Sequence, residues 1–508
     1  MFALLFAVPT SSLAARPNVL FIVADDLRAE LGCTGANHVI SPNLDRLARK
    51  GRLFTRAYCQ QAVCNPSRAS FMTGLRPDTI GVWDLRTHFR KSFKESRPAN
   101  SSKNPRNPLT RPSGTLAPIG GEGRGEGASR LMGRVSDLVT LPQLFRQNGY
   151  ETRCIGKLFH NTGNMGDEPS WSQPPVMSTG THSADTVTAH RKGMQKKGDI
   201  PVTEQFAVDD EAYQDGRIAK AAVATLGELK NKPFFLAVGF WRPHLPFVAP
   251  KKYWDLYDLR DLPMPVTWNA PIGCPPIALH DYREIKGYGA MPKDYPLTVE
   301  FTRHLRHGYY ASVSYMDAQI GKVLRALDEN GLRDNTIVVF LSDHGVHLGE
   351  HGLWAKTSCF EYDARVPLII STPGMKQRGK ATESLAELID LYPTLADLTD
   401  LSAPKNLEGK SLVPILTDPM ATVKEAAYTQ HPRPAYYKGK PDAMGVSVRT
   451  KDFRYTEWRQ FETKVIAREL YDHRSDAIES RNIAANKRLA STVAGLEREL
   501  NKEFPVRR

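Results

Sequence analysis

The sequence predicts an α/β protein in which helices flank a mostly parallel central sheet, with a smaller α+β subdomain at the C-terminus. Strand-like and helix-like stretches alternate through most of the chain, which is typical of parallel sheets with helical crossovers. Residues 17–26, P-N-V-L-F-I-V-A-D-D, are an apolar run ending in two carboxylates, as in a buried parallel strand with ligands at its carboxyl end. Beyond Pro419 the pattern changes, with alternating residues over 444–458 and a charged helix near 490–502. A chain of 508 residues with a 41% apolar fraction suits one large globular unit with a smaller companion.

Capping and stop signals predict the remaining elements. Ser41 is a favoured N-cap residue and Pro42 suits the first helical position, so we expect a helix over 41–50. Gly149 and Gly331 each follow a helical stretch, where glycine commonly ends a helix. The other predicted elements are helices over 141–148, 209–229 and 309–330 and strands over 151–155, 234–240 and 336–342.

The first 15 residues have the features of a secretory signal. Residues 1–15 are short and apolar, end in small side chains and directly precede the first strand, although they contain no Lys or Arg before the apolar run. We expect cleavage near Ala14 or Ala15 and an exported protein, periplasmic or secreted; a frayed apolar N-terminus is the alternative. No other segment approaches the roughly 20 apolar residues of a membrane span, so we expect none.

The net charge of +13 implies an acidic partner, such as a sulfated polysaccharide or a nucleic acid. Part of the excess is local, because residues 91–130 hold eight Lys or Arg against three Glu in low-complexity sequence. We expect residues 91–133 to be a disordered insertion, since they contain too few apolar groups to fold. Aromatic residues that could stack on bases are nearly absent from it, which argues against a nucleic-acid partner.

Six cysteines in so long a chain do not indicate a disulfide scaffold. The sequence leaves their pairing open. They are Cys33, Cys59, Cys64, Cys154, Cys274 and Cys359.

The most informative motif is C-x-P-S-R-x-x-x-x-T-G, which begins at Cys64. Pro66 suits the first turn of a helix, so Cys64 would lie at the helix N-terminus, where backbone N–H groups favour anions. Arg68 follows four residues later on the same helical face. Taken alone, the motif is equally compatible with a buried or redox cysteine beside an ordinary helix start. Asp343-His344-Gly345 adds a second strand end with polar ligands, after the predicted strand 336–342.

The chain from residue 17 to 470, apart from 91–133, resembles the type I, formylglycine-dependent sulfatases, and within them the iduronate-2-sulfatase group. The resemblance implies an alkaline-phosphatase-like fold, a catalytic domain over 16–419 and a C-terminal subdomain over 420–508. Besides the two strand ends and the cysteine motif, the segments that carry it are G-K-L-F-H (156–160), R-P-H-L-P-F (242–247), L-G-E-H-G-L-W-A-K (348–356) and M-G-V-S-V-R-T (444–450).

The resemblance also implies a set of site residues. In this family the motif cysteine, here Cys64, is oxidised to formylglycine by the formylglycine-generating enzyme, and its hydrate is the nucleophile. His244 would donate a proton to the leaving alkoxide, with Lys356 as a second candidate, and His160 would act near sulfate release. Cationic groups that neutralise the sulfate would be Arg68, Lys157 and Lys356. One Ca²⁺ would be held by Asp25, Asp26, Asp343, His344 and the matured Cys64 side chain, the histidine being unusual for calcium.

Each of these residues taken singly has an ordinary structural interpretation. Lys157 and His160 could be a surface charge and a packed loop histidine. His244 could be a turn histidine, and Lys356 could extend along apolar surface to reach water. Several segments matching one family favour the functional interpretation. The rings that could line the mouth of a sugar pocket, with a core role as the alternative, are Trp241, Trp354 and His347.

The sequence therefore predicts a calcium-dependent sulfatase that hydrolyses sulfate esters of a sulfated polysaccharide or oligosaccharide. The favoured substrate is 2-O-sulfated iduronate or a related uronic acid. One alternative is a phosphoester or phosphonate hydrolase of the same superfamily, although no clear second metal set is present. The other is a noncatalytic protein that binds sulfated glycan, if Cys64 is never matured.

Overall fold

A mixed eight-stranded sheet forms the centre of the protein. The computed structural model describes residues 16–92, 138–160, 166–177, 200–460 and 463–506. The strands up to residue 387 are β1 (Asn18–Asp25), β2 (Arg52–Tyr58), β3 (Glu151–Gly156), β4 (Thr203–Phe206), β5 (Phe234–Pro243), β6 (Phe247–Pro250), β7 (Thr336–Ser342), β8 (His347–Leu348), β9 (Trp354–Ala355), β10 (Arg365–Ser371), β11 (Ala381–Thr382) and β12 (Ala386–Glu387).

The order across the central sheet is β11-β2-β10-β7-β1-β5-β3, and β12 also pairs with β2. Among these eight strands, β10 runs antiparallel to its neighbours β2 and β7, while the other pairings are parallel. This confirms the predicted α/β class with a mostly parallel central sheet. β4 and β6 form a separate parallel pair, and β8 and β9 form an antiparallel pair.

β1 lies in the middle of the sheet, between β5 and β7. All eight of its residues are buried, which explains why its sequence is a continuous apolar run without alternation. Successive side chains point to opposite faces, so Leu20 and Ile22 belong to one core layer while Phe21 and Val23 belong to the other. Parallel neighbours on both sides bring the carboxyl ends of β1, β5 and β7 to one edge of the sheet.

Helices cover both faces of the sheet. One layer contains the helices Pro42–Lys50, Gln214–Glu228 and Val299–Glu329. The other contains Cys64–Thr73, Leu141–Gln147 and Leu391–Leu398. Shorter helices are Pro77–Ile80, Phe89–Ser92, Lys251–Trp254, Arg283–Lys286, Glu361–Ala364 and Val413–Thr417.

Two predicted helix starts are wrong for local reasons, while the third, at Pro42, is confirmed with Ser41 at the N-cap position. The long helix Val299–Glu329 begins ten residues before the predicted start, because the Thr298 hydroxyl accepts a hydrogen bond from the Phe301 N–H as an N-cap. Residues 210–212 form a separate 3₁₀ turn, so the next helix begins only at residue 214. The Ser41 side chain does not cap its helix, because it accepts from Gly32 N–H and bonds Asp45 instead.

A second, antiparallel sheet follows toward the C-terminus, and it forms the smaller α+β subdomain that the sequence predicts. The alternating stretch 444–458 proves to be parts of two strands joined by a tight turn. The helix Ala490–Glu503 packs on this sheet, with Leu496 and Leu500 against Val446 and Leu470. The boundary at residues 419 and 420 stays a prediction. The strands, in spatial order, are β13 (Ala427–Arg433), β14 (Ala443–Arg449), β15 (Phe453–Gln460) and β16 (Lys464–Asp472).

Two predictions fall largely outside the described residues. The expected signal at 1–15 lies outside them, as do residues 93–133 of the expected insertion. Lys91 and Ser92 belong to the short helix that ends at residue 92. All six cysteines are free thiols. Between residues 16 and 506, the helices that the structure describes include none with the length and apolar character needed to cross a bilayer.

A close approach of two backbones places the chain after β3. Gly239 in β5 pairs with Gly156 in β3, and the carbonyl of Gly239 accepts from the Lys157 N–H at 2.8 Å. A Cβ added to Gly239 would lie 1.8 Å from the Lys157 carbonyl oxygen. We expect Gly239→Ala to lower the free energy of unfolding by about 1–3 kcal/mol, as overpacking does, measured by urea denaturation.

Gly227→Ala is the matched control. Gly227 lies in the helix Gln214–Glu228, and none of the described atoms comes within 4 Å of an added Cβ there. Alanine in a helix is more stable than glycine by about 0.5–1 kcal/mol, so this variant should gain stability. Equal stability of the two variants would contradict the close approach.

Candidate active site

Polar side chains from four parts of the fold meet at the carboxyl edge of the central sheet. Asp25 and Asp26 end β1, and Asp343 and His344 follow β7, the neighbouring parallel strand. Asp26 has a left-handed backbone conformation, which Asp tolerates better than most residues. The helix Cys64–Thr73 points its N-terminus at the same place, and the chain leaving β3 adds a lysine.

The predicted metal-ligand residues lie together and are buried. The Cys64 Sγ is 3.3 Å from Asp25 Oδ1 and 3.4 Å from His344 Nε2. His344 Nε2 is 3.3 Å from Asp26 Oδ1, and one ligand atom of each of these four residues lies within 4.8 Å of the others. Asp343 Oδ1 is 3.6 Å from the same His344 nitrogen. Since the His344 Nδ1 is 2.9 Å from the Gly345 carbonyl, Nε2 is the nitrogen available as a ligand.

Three carboxylates beside one imidazole fit a hard divalent cation. Oxygen ligands are those that Ca²⁺ prefers, and in a protein a cation is commonly held by several carboxylates at once. A cation at this place would also offset the mutual repulsion of Asp25 and Asp343, which lie in contact. The donor set therefore suits calcium, with the histidine as its one nitrogen ligand.

Arg68 holds this group of carboxylates. Its Nε donates to Asp343 Oδ2 at 2.8 Å, and its Nη2 lies 3.3 Å from Asp25 Oδ1. Nη1 donates to the carbonyls of Lys157 at 2.6 Å and Leu158 at 3.0 Å. The planar guanidinium fork can serve these acceptors at once, which an ammonium group could not do. One fully buried side chain thus ties together β1, β7 and the chain after β3.

Both predicted lysines are buried and paired with carboxylates. The Lys157 ammonium bonds Asp25 and lies 4.6 Å from the ring centre of Trp241. The Lys356 Nζ is 2.9 Å from both carboxylate oxygens of Asp26. Neither lysine is a solvated surface charge, and Lys356 does not extend to water. The structure therefore brings both ammonium groups to the carboxylates that end β1.

Two histidines complete the predicted set. His244 Nε2 is 3.4 Å from Glu284 Oε1 and lies near Asp26. Burial and the nearby Lys157 lower the pKa of His160 to about 2, and its Nδ1 finds no hydrogen-bond partner among the described residues. His160 is therefore neutral at ordinary pH.

Glu284 is the site residue that sequence reasoning missed. Its Oε1 lies 2.8 Å from the Lys356 Nζ as well as 3.4 Å from His244. It belongs to the four-residue helix Arg283–Lys286, in a Pro- and Gly-rich stretch without helical or strand periodicity. No motif in that stretch could have identified it, because only the folded chain brings it beside its partners.

The pKa shifts at the site are those of buried acidic groups with too few cationic partners. Burial raises the pKa of Asp343, and the neighbouring Asp25 adds to this, against the opposing effects of Arg68 and His344. Against the cost of burial, Lys157 and Arg68 bring the pKa of Asp25 well below its usual range. Burial, reinforced by Asp25, raises the pKa of the Cys64 thiol. The unmodified cysteine is therefore a neutral thiol and a poor nucleophile.

Of the three rings proposed for the pocket mouth, two belong to the interior. Trp354 is buried in the core, and His347 is fully buried, with Nδ1 2.7 Å from Asp363 and Nε2 3.3 Å from His351. The core alternative therefore holds for both. Trp241 is half-buried beside the Lys157 ammonium and so borders the site.

Comparison with known proteins identifies the family. Residues 17–401 match the family described as Sulfatase, which is most of the chain. The chain belongs to the sulfatase family. It is a sulfuric ester hydrolase, and residues 349–504 of this sulfatase also match the family described as N-sulphoglucosamine sulphohydrolase, C-terminal.

The sulfatase is similar in sequence or structure to several known proteins over nearly its whole length. Iduronate 2-sulfatase of Mus musculus is 33% identical, in a match that covers 92% of this chain and 90% of the relative. A solved structure of a protein in complex with its substrate, D-glucosamine-2-N,6-O-disulfate, aligns with a TM-score of 0.69 and 23% identity, covering 96% of this chain and 97% of that one. Phosphonate monoester hydrolase from Silicibacter pomeroyi aligns with a TM-score of 0.70 and 23% identity, covering 96% and 94%. These structures confirm the alkaline-phosphatase-like fold.

Substitution of Arg68, the buried guanidinium at the centre of the site, should lower the stability of the sulfatase. Arg68→Met keeps much of the side-chain volume but leaves Asp25 and Asp343 buried without their shared partner. We expect the free energy of unfolding to fall by about 3–5 kcal/mol, measured by urea denaturation. Arg260→Met, at an exposed pair with Asp258, is the control and should cause no measurable change. Equal effects of the two substitutions would show that Arg68 does not hold the site together.

Proposed function

We propose that this sulfatase is a calcium-dependent enzyme that hydrolyses sulfate esters of a sulfated glycan through a formylglycine formed from Cys64. The favoured substrate is 2-O-sulfated iduronate or a related uronic acid. The observation that carries the proposal is the convergence of Asp25, Asp26, Cys64 and His344 within 4.8 Å, with buried cations on its border. Maturation would require the formylglycine-generating enzyme as a partner.

The charge of the site supports a divalent cation. Four carboxylates face three Lys or Arg side chains, and this excess of carboxylates would disfavour a sulfate monoester. A bound Ca²⁺ would offset that excess and act as a Lewis acid toward the sulfate oxygens. The carboxylates are Asp25, Asp26, Asp343 and Glu284, and the cations are Arg68, Lys157 and Lys356. The groups proposed to hold the ion are the side chains of Asp25, Asp26, Asp343, His344 and residue 64.

The cations divide into two roles. The N–H groups of Arg68 bind Asp343, Asp25 and backbone carbonyls. Arg68 therefore positions the carboxylates and supplies positive charge without donating a hydrogen bond to the substrate. Lys157 and Lys356 each have three N–H donors, and after pairing with Asp25 or Asp26 they can turn a remaining donor to a sulfate oxygen. Charge-assisted hydrogen bonds of this kind stabilise the charge that develops on the sulfate oxygens.

Formylglycine at position 64 would supply an oxygen nucleophile, which the neutral thiol of Cys64 does not. The proton needed by the leaving alkoxide would come from His244 Nε2, which faces the same space as Asp26 and Glu284. Neutral His160 is proposed to act near sulfate release, where its Nδ1 lacks a partner among the described residues. These assignments follow the family resemblance and the proximity of the residues.

Two observations support a glycan substrate. The sulfatase shares 33% identity with iduronate 2-sulfatase over most of both chains. Its net charge of +13 would steer a polyanionic chain toward it. We also propose that the protein is exported, on the strength of the signal-like residues 1–15.

The proposed function is tested by maturation and turnover together. The protein is produced with the formylglycine-generating enzyme, and the mass of the tryptic peptide that contains Cys64 is measured beside sulfate release from defined disaccharides. We expect formylglycine, release from 2-O-sulfated iduronate, and loss of turnover without loss of folding in Cys64→Ala. A phosphonate monoester assayed in parallel should be a poorer substrate. Full activity of Cys64→Ala would refute the mechanism, and formylglycine with release only from other sugars would redirect the substrate assignment.

Calcium should stabilise the folded protein. A ligand at 100 times its dissociation constant adds about 2.7 kcal/mol to the free energy of unfolding, so Ca²⁺ should raise the melting temperature and a chelator should lower it. Asp343→Asn should weaken this response, while Asp294→Asn, at an exposed carboxylate, should preserve it. A melting temperature that changes neither with added Ca²⁺ nor with a chelator would count against the calcium site.

A further inference from the structure

Glu284 is a buried acid that connects the two candidate proton donors. Its Oε1 accepts from the Lys356 Nζ at 2.8 Å and lies 3.4 Å from His244 Nε2. The same Lys356 ammonium is bonded to Asp26, so it fills the space between the two carboxylates. Lys356 is 2% exposed and Glu284 10%, which makes their attraction stronger than that of a surface pair. Glu284 thus fixes the positions of both His244 and Lys356.

His244 has an oxygen acceptor beside each of its two ring nitrogens. Its Nδ1 lies against the Leu245 carbonyl oxygen, which cannot donate a hydrogen bond. Its Nε2 faces the Glu284 carboxylate. With an acceptor at each nitrogen, the ring is held in one orientation, with Nε2 facing Glu284 and lying near Asp26.

A loop of the C-terminal sheet holds the other oxygen of Glu284. The Tyr436 hydroxyl, on the loop between β13 and β14, donates to Glu284 Oε2 at 3.2 Å. The neighbouring Arg283 donates to the Tyr436 carbonyl at 3.2 Å and lies 5.7 Å from its ring centre. Each carboxylate oxygen of Glu284 therefore has its own partners, which fixes the plane of the group.

We propose that Glu284 is a positioning residue for the reaction, which orients His244 and Lys356 for protonation of the leaving group. This inference rests on the proposed function. An oxygen of the hydrated formylglycine at position 64 forms a bond to sulfur as the bond between sulfur and the bridging oxygen breaks, and the electron pair of the broken bond stays on the bridging oxygen. The His244 Nε2–H bond also breaks, and its proton forms the O–H bond of the released sugar alcohol. Lys356, held by the same carboxylate, stabilises the negative charge on that oxygen.

The test uses leaving groups that differ in their need for a proton. A sugar alkoxide is strongly basic and needs protonation as it leaves, whereas 4-nitrophenolate is stable without it. In matured protein, we expect Glu284→Gln to lower kcat on the sugar sulfate by about 10²-fold, the lower end of general-acid contributions, with KM changed little. Hydrolysis of 4-nitrophenyl sulfate should fall by less than about threefold, because protonation contributes little there. Tyr436→Phe should give the same substrate pattern with a smaller loss.

Asp294→Asn serves as the control, because it removes an exposed carboxylate from the same connecting segment. Equal losses on both substrates, or a KM effect alone, would overturn the inference in favour of a structural or binding role. Unchanged kcat on the sugar sulfate would overturn it as well. Wild-type protein that contains formylglycine but hydrolyses neither substrate would instead refute the proposed function, and this inference with it. If Glu284→Gln fails to fold, the Tyr436→Phe pattern decides.

Discussion

The site depends on the compensation of buried carboxylates by one buried guanidinium. Asp25 and Asp343 approach each other at the ends of adjacent strands, where ionised groups without partners would be prohibitively unstable. Arg68 contacts both, and its remaining donors bind carbonyls of the chain after β3. A single side chain therefore sets the distance between three strand ends. The cysteine lies one helical turn before that arginine, so the position of Cys64 is determined by the same contacts.

The helix Cys64–Thr73 shows how strongly this arrangement constrains the local sequence. All ten of its residues are buried, although half of them are polar, and its sequence has no apolar stripe. Polar groups inside a protein are mostly hydrogen-bonded, and here each polar side chain except that of Ser70 has a partner among the described residues. Asn65 donates to two backbone carbonyls on the segment near residue 85, and Ser67 bonds the Asp343 carbonyl. The polar residues, which are unusual in a buried helix, are therefore those that attach this helix to the strand ends.

Local signals explain what the sequence could predict and what it could not. The strand Thr336–Ser342 was predictable to the residue, because a buried parallel strand is a short apolar run followed by polar ligands. The long helix was predicted to begin ten residues too late, since its first turns contain charged residues and Gly308. The cysteine motif and both strand ends lie in distinctive sequence. Glu284 does not, because what distinguishes it is contact with His244 and Lys356, which lie far away along the chain.

Asp26 links the two halves of the site. One of its oxygens is 3.3 Å from His344 Nε2, on the side of Cys64, and both are 2.9 Å from Lys356, on the side of Glu284. A continuous series of contacts therefore runs from Cys64, the proposed nucleophile position, to the proposed proton donors.

The far end of that series belongs to the C-terminal sheet. Tyr436 holds Glu284 there, while Arg449 and Arg454 of β14 and β15 bind Glu361, a few residues beyond Lys356. The ends of β1 and β7 in the central sheet bring Asp25, Asp26, Asp343 and His344 together. The orientation of Lys356 and Glu284 additionally requires the C-terminal sheet, so the two sheets build one site between them.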